Sequence, residues 1–136
     1  MTKPYTYTDM DCIFCKIVNA TIPSYKVYED DLFLGFLDIF PLSKGNVLLI
    51  PKKHYRWVND VPEFGIYWEA AKKISDKIQD RLGATSISYL TFGEEVFHAH
   101  IRIIPRYAAD EMYLTLKKPE NYTKEEMLKV QKEIQI

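Results

Sequence analysis

Between Pro62 and Leu82, apolar residues recur at helical spacing: Ile66, Ala70, Ile74, Ile78 and Leu82, with Tyr67 and Ala71 widening the stripe. Gly83 follows as a helix stop. A helix this long, apolar along one side, needs a surface to cover, and the runs around it are strand-like. Tyr25–Glu29 and Leu32–Asp38 read as two strands joined by a hairpin turn at Asp30-Asp31. After a loop over Pro41–Gly45, the apolar run Asn46–Pro51 (NVLLIP) reads as a buried central strand. Beyond the long helix come Ser86–Phe92 and Val96–Ile104, the second ended by Pro105. A short helix over Cys12–Asn19, capped by Asp11 and ended at Thr21-Ile22-Pro23, precedes the strands. A terminal helix starts at Thr123, where Thr-Lys-Glu-Glu matches a capping box. This order predicts an α+β domain, a mainly antiparallel five-stranded sheet packed on one long helix.

A length of 136 residues suits one domain with one core. The opening MTKPYTYTDMD has no apolar run and reads as a flexible arm over residues 1–11 rather than a secretory signal. Residues 12–136 then form the domain, with a tail over 107–136. In that tail Tyr113, Leu114 and Leu116 look strand-like or packed, and Lys117-Lys118-Pro119 breaks the run. No stretch approaches the roughly 20 apolar residues of a membrane helix, so the expected location is the cytoplasm, with no membrane partner. Net charge is -1, which supplies no basic field for a nucleic-acid backbone. No nucleic-acid partner is expected, and any anion site must be local.

Cys12 and Cys15 are spaced C-x2-C, a pattern of metal or redox chemistry in a cytosolic chain. A redox pair usually sits between a strand and a helix. Here no strand precedes it, which counts against redox. The histidines are His54, His98 and His100. His98 and His100 lie two apart on an expected strand, so both project from one face, and Arg102 is next on that face. Phe97, Ala99, Ile101 and Ile103 point the other way, suited to burial against the long helix. Two histidines on a strand are compatible with plain polar surface. This face, however, carries only ring nitrogens and a cation, and Pro105-Arg106 adds a further cation.

The run Val96-Phe97-His98-Ala99-His100-Ile101-Arg102-Ile103-Ile104-Pro105-Arg106 resembles the signature of the histidine triad (HIT) family, H-φ-H-φ-H-φ-φ with φ apolar. Cys12-Ile13-Phe14-Cys15-Lys16-Ile17 looks like the opening motif of bacterial-type members, and Ile22-Pro23 and Glu29-Asp30 follow at family spacing. Phe36-Leu37-Asp38-Ile39 looks like the ribose-binding strand, and Gly45–His54 looks like the central strand and its exit. The resemblance runs from about Cys12 to Arg106, and order and spacing together make it specific.

The resemblance implies a HIT-like fold and a nucleotide ligand. It implies that His100, at the middle triad position, attacks an α-phosphate to give a nucleotidyl-histidine that water then releases. It implies a closed, structural zinc site of Cys12, Cys15, His54 and His98. The alternative is that the cysteines are buried thiols and His54 is a surface residue. Asp38 looks like the carboxylate that accepts hydrogen bonds from a ribose diol. Ile13, Phe14, Ile17, Ile22, Phe36, Ile39 and Leu48 look like the apolar slot for a base, most often a purine in this family. Members are commonly homodimers joined through the long helix and an edge strand.

The chain departs from the family pattern at several positions. Arg102 replaces the third histidine, and Gly45-Asn46 stands for Gly-His. Gly93-Glu94-Glu95 stands for Gly-Gln-Ser/Thr. Arg102 and Asn46 remain candidates to hold phosphate charge. Glu95 brings a carboxylate where the family has a hydroxyl donor. Three accounts of it stand open: pairing with Arg102, action as a protonated acid, or selection of a substrate with a cationic part. The expected function is a hydrolase or transferase acting on a nucleotide α-phosphate. The alternatives are a nucleotide-binding or interaction protein with little or no turnover, and a thiol redox protein.

Overall fold

The computed structural model describes residues 11–108 and 121–136. Residues 1–10 of the expected arm over 1–11, and the tail run around Tyr113, Leu114 and Leu116, lie outside the described residues. The elements in chain order are α1 (Ile13–Val18), β1 (Lys26–Glu29), β2 (Phe33–Leu37), β3 (Val47–Pro51), α2 (Phe64–Leu82), β4 (Ser86–Leu90), β5 (Ile101–Arg106) and α3 (Lys124–Ile134). A single 3-10 turn, Val58–Asp60, lies before α2. The five strands form one antiparallel sheet in the order β1-β2-β3-β5-β4. The expected class and sheet are as the sequence predicts.

Each face of the sheet has its own helical cover. On one face Tyr67, Ala70, Ala71, Ile74 and Ile78 of α2, with Met127, Val130 and Ile134 of α3, pack against Val27, Leu49, Ile101 and Ile103. Tyr67 stacks on Phe33 at 4.8 Å and donates its hydroxyl to the Leu49 carbonyl at 2.7 Å. On the other face Cys12, Phe14 and Cys15 pack against Leu34, Phe36, Leu48 and Ile50. β2 and β3 are therefore buried on both sides, which explains their continuous apolar sequences. The short α1 covers only part of its face, and the rest is open.

Several expected boundaries shift for physical reasons. Cys12, not Asp11, caps α1: its Sγ accepts from the Cys15 N–H at 3.4 Å. α2 begins at Phe64, and Ile66 faces solvent at 53% exposure, so the buried stripe starts at Tyr67. Gly83 closes α2 in the left-handed region at φ 72°, as expected of a C-terminal glycine. β4 ends at Leu90 rather than Phe92. β5 starts at Ile101, five residues later than expected, and runs through Pro105 to Arg106. Pro105 is tolerated because β3 pairs β5 only as far as Ile103. The side where its missing N–H would point is free of β3, and the Ser43 hydroxyl takes the Pro105 carbonyl there at 2.6 Å. Thr123 and Glu126 form the expected capping box of α3.

Candidate functional site

The open part of the second face is a pocket of about 560 Å3, within the range of small-molecule sites. Its floor follows from register. Phe36 pairs Leu48, Leu48 pairs Arg102, and Arg102 pairs Leu90, so one row of side chains crosses four strands. All four line the pocket. Phe14 of α1 stands on this row, edge-on to Phe36 at 5.6 Å and to His100 at 5.3 Å. Ile17, Ile22, Asp38 and Ile39 of the expected nucleotide slot also line it, while Ile13 does not and is exposed.

The residues before β5 are held without a ladder. The Ala99 N–H donates to the Tyr55 carbonyl at 2.7 Å. Arg56 donates to the Gly93 carbonyl at 2.8 Å, with its guanidinium 3.6 Å from the Trp57 ring centre and 4.0 Å from that of Phe97. Segment 54–57 thus pins both ends of segment 93–99. Phe97, expected against the long helix, is half-buried against Arg56 instead. His98 and His100 do share a face, since Phe14 lies edge-on to both rings. Ala99 is buried on the opposite side, in the core with α2.

The two histidines have different surroundings. His98 is fully buried. Its Nε2 contacts the Pro51 carbonyl at 2.8 Å, which makes Nε2–H the donor and leaves the Nδ1 lone pair available. That Nδ1 lies 3.3 Å from Cys12 Sγ, 3.4 Å from Cys15 Sγ and 3.1 Å from His54 Nδ1, and Cys15 Sγ is 3.3 Å from His54 Nδ1. All four ligand atoms lie within 4.8 Å of one another. Metal–nitrogen bonds near 2.0 Å and metal–sulfur bonds near 2.3 Å give tetrahedron edges of about 3.3–3.8 Å. The cluster therefore has the donor set and the spacing of a closed tetrahedral site. The cysteines are not disulfide-bonded.

His100 lines the pocket. Its Nδ1 contacts the His98 carbonyl at 2.8 Å, so Nδ1–H donates and Nε2 keeps its lone pair. Burial holds its pKa below the usual 6.5; the His98 carbonyl and Asp38 oppose this, and the Arg102 and Arg56 charges add to it. A neutral imidazole with one free nitrogen is the nucleophilic form.

Arg102 does not pair with Glu95. Its Nη2 lies 2.7 Å from Asp38 Oδ2, in an ion pair whose carboxylate side chain is only 5% exposed. Asp38 Oδ1 accepts the Phe40 N–H at 2.9 Å. Both oxygens of the expected ribose carboxylate are therefore engaged, each with a second lone pair left. Arg102 Nε is buried with no acceptor among the described residues. Glu95 is exposed and lines the pocket. Asn46 does not line it. Its Oδ1 accepts the Leu42 N–H at 3.0 Å and its Nδ2 donates to the Ile103 carbonyl at 3.1 Å, so this buried amide ties the β2–β3 loop to β5. Its side chain is used in structure, not aimed at a ligand.

Sequence reasoning missed Phe40 and Phe92, which line the pocket while 63% exposed. The signal for Phe40 was an apolar pair, Ile39-Phe40, standing just past a strand end and before a proline. Arg56 was also missed; its only sequence mark is its place beside Trp57, two residues after His54.

Comparison with known proteins agrees with this fold. The model of the family described as HIT domain matches residues 19–109. A HIT-like protein of Borreliella burgdorferi is 44% identical over 109 residues, covering 74% of this chain and 78% of that one. The adenosine 5'-monophosphoramidase of Saccharomyces cerevisiae is 33% identical, covering 78% and 68%. Among solved structures, a histidine triad nucleotide-binding protein of Sulfolobus tokodaii superposes with a TM-score of 0.79 at 32% identity, covering 90% and 89%. A zinc-bound histidine triad protein of Mycobacterium smegmatis superposes with a TM-score of 0.76 at 29% identity, covering 93% and 95%. The chain belongs to the HIT domain family.

Proposed function

We propose that this protein is a nucleotide-binding hydrolase or transferase that acts on the α-phosphate of a purine nucleotide through a nucleotidyl-His100 intermediate. The observation that carries the reading is the His100 Nδ1 contact to the His98 carbonyl, which leaves Nε2 unprotonated at the pocket wall. The Nε2 lone pair forms the new bond to phosphorus as the bond to the leaving group breaks. The leaving group departs with that electron pair and takes a proton from solvent. Water then attacks the phosphorus and releases a proton, and His100 leaves as neutral imidazole. In transfer, another acceptor takes the place of water. The Arg102 guanidinium lines the pocket with its side chain 29% exposed, and its N–H donors suit a phosphoryl oxygen. Asp38 holds the ribose through its remaining lone pairs, and the base lies against Phe14, Phe36 and Leu48. The yeast relative's activity on an adenosine phosphoramidate supports this class of substrate.

In this reading Cys12, Cys15, His54 and His98 hold a structural zinc, which ties α1 and the 93–99 segment to the sheet. The metal supplies rigidity and takes no part in the bond changes. Residues 12–136 act as one domain, His98, His100 and Arg102 form a His-x-His-x-Arg variant of the triad, and the cytoplasm keeps the thiols reduced. A homodimer through α2 and the β4 edge covers Phe64 and Ile66, both exposed in one chain. A second reading, a binding protein without turnover, is favoured by one observation: the Asp38–Arg102 ion pair occupies two groups a substrate would use. Assay of adenosine and guanosine phosphoramidates and dinucleoside polyphosphates separates the two. Turnover lost in His100→Ala supports the enzyme. Wild type as inert as His100→Ala, with nucleotide still raising the Tm, supports the binder.

A further inference from the structure

The pocket has an unusual charge inventory for a site that handles phosphate. Among the described residues that line it, the formally charged ones are Asp38, Arg102 and Glu95, and no lysine is among them. Arg102 and Asp38 neutralise each other at 2.7 Å. His100 commits its Nδ1–H to the His98 carbonyl at 2.8 Å. Arg56, the other cation near His100, is held between the Trp57 and Phe97 rings and donates to the Gly93 carbonyl. What remains is the carboxylate of Glu95, which has no ion-pair partner among the described residues. Its segment is not loose: Arg56 fixes Gly93 two residues before it, and Tyr55 fixes Ala99 four residues after it.

We infer that Glu95 determines specificity through charge, selecting nucleotides whose leaving group is cationic and disfavouring those whose leaving group is anionic. The inference rests on the enzymatic reading above and adds to it the chemistry of the departing group. A nucleoside phosphoramidate monoester with an alkylammonium arm carries one negative charge at phosphorus and one positive charge on the leaving group, complementing an ion pair plus one extra carboxylate. A polyphosphate leaving group brings several negative charges against described lining residues whose formal charges, Asp38 and Glu95 against Arg102, already sum to a negative value. The apolar stems of such an arm have Phe40 and Phe92 to lie against at the rim.

The test uses the metal-saturated full chain and three adenosine phosphoramidates of matched length, with aminoalkyl, alkyl and carboxyalkyl leaving groups. The expected order of kcat/KM is cationic, neutral, anionic, with about 5-fold per unit charge at low salt, narrowing as ionic strength rises. Glu95→Gln is expected to compress the cation-to-anion ratio by a similar factor, and Glu95→Lys to invert it. Affinities of the same three compounds for His100→Ala, measured by calorimetry, are expected to keep the wild-type order, since no chemistry intervenes. Equal affinities there, or a ratio unmoved by Glu95→Gln, overturn the inference. Failure of wild type to turn over any compound, with the order of affinities intact, overturns the enzymatic reading and leaves charge selection standing.

Discussion

Replacing Arg102 by Met removes one member of an ion pair and leaves the other buried. The Asp38 side chain is 5% exposed and that of Arg102 is 29% exposed, with 2.7 Å between Oδ2 and Nη2. Breaking a fully buried pair costs about 3–5 kcal/mol, because an uncompensated charge remains. Here Arg102 keeps some solvent contact and Asp38 keeps the Phe40 N–H, so the expected cost falls to about 2–3 kcal/mol. For a chain of this size that lowers the Tm by roughly 10 °C. The assay is urea or thermal unfolding with zinc held saturating, on wild type, Arg102→Met, Asp38→Asn and the double variant. The Asn keeps an acceptor for the Phe40 N–H, so Asp38→Asn is expected to cost less than Arg102→Met. In the double variant no charge is left stranded, and a coupling of at least about 1 kcal/mol is expected. A cost below about 0.5 kcal/mol for Arg102→Met, or strict additivity, would show that the pair behaves as a solvated surface contact and would refute the reasoning.

Protein purified without chelator is expected to carry one zinc per chain. Cys15→Ser or His98→Asn is expected to lose it and to unfold at markedly lower temperature, as chelated wild type does; metal analysis with thermal melting checks both. The acid limb of kcat/KM is expected below pH 6.5, because burial depresses the His100 pKa. For the same reason His100 favours folding above its unfolded pKa, and that contribution is lost as pH falls through the folded one, which unfolding at several pH values reads. Gly45→Ala is expected to cost about 1–2 kcal/mol in denaturant titration, since Gly45 holds φ +85° and an added Cβ lies 2.6 Å from the Leu82 Cδ1, a movable methyl.

The parts of the structure that were legible in the sequence are those with a period. The α2 stripe from Tyr67 onward and the continuous apolar β2 and β3 give the elements their patterns predict, while the alternating run keeps His98 and His100 on one face although the strand itself begins only at Ile101. The C-x2-C pair, His54 and His98 also converge in space as the family spacing implies. The boundaries of β5 were not legible, because they depend on where β3 stops and on how Tyr55 and Arg56 grip the preceding segment. Nor was the role of Asn46, whose amide bridges a loop to a strand fifty-seven residues away. The Arg102–Asp38 pair spans sixty-four residues and depends on both side chains reaching across the intervening strand. Local pattern carries no trace of such a contact, so charge at position 102 was legible while its partner was not.

The central claim is that His100 becomes covalently nucleotidylated. Rapid quench of wild type mixed with an adenosine phosphoramidate, followed by digestion and mass spectrometry, tests it most directly. The account predicts a transient, acid-labile adenylyl adduct on the peptide containing His100, formed before product and absent in His100→Ala. Product formation with no adduct at any quench time, or an adduct that persists in His100→Ala, would contradict it.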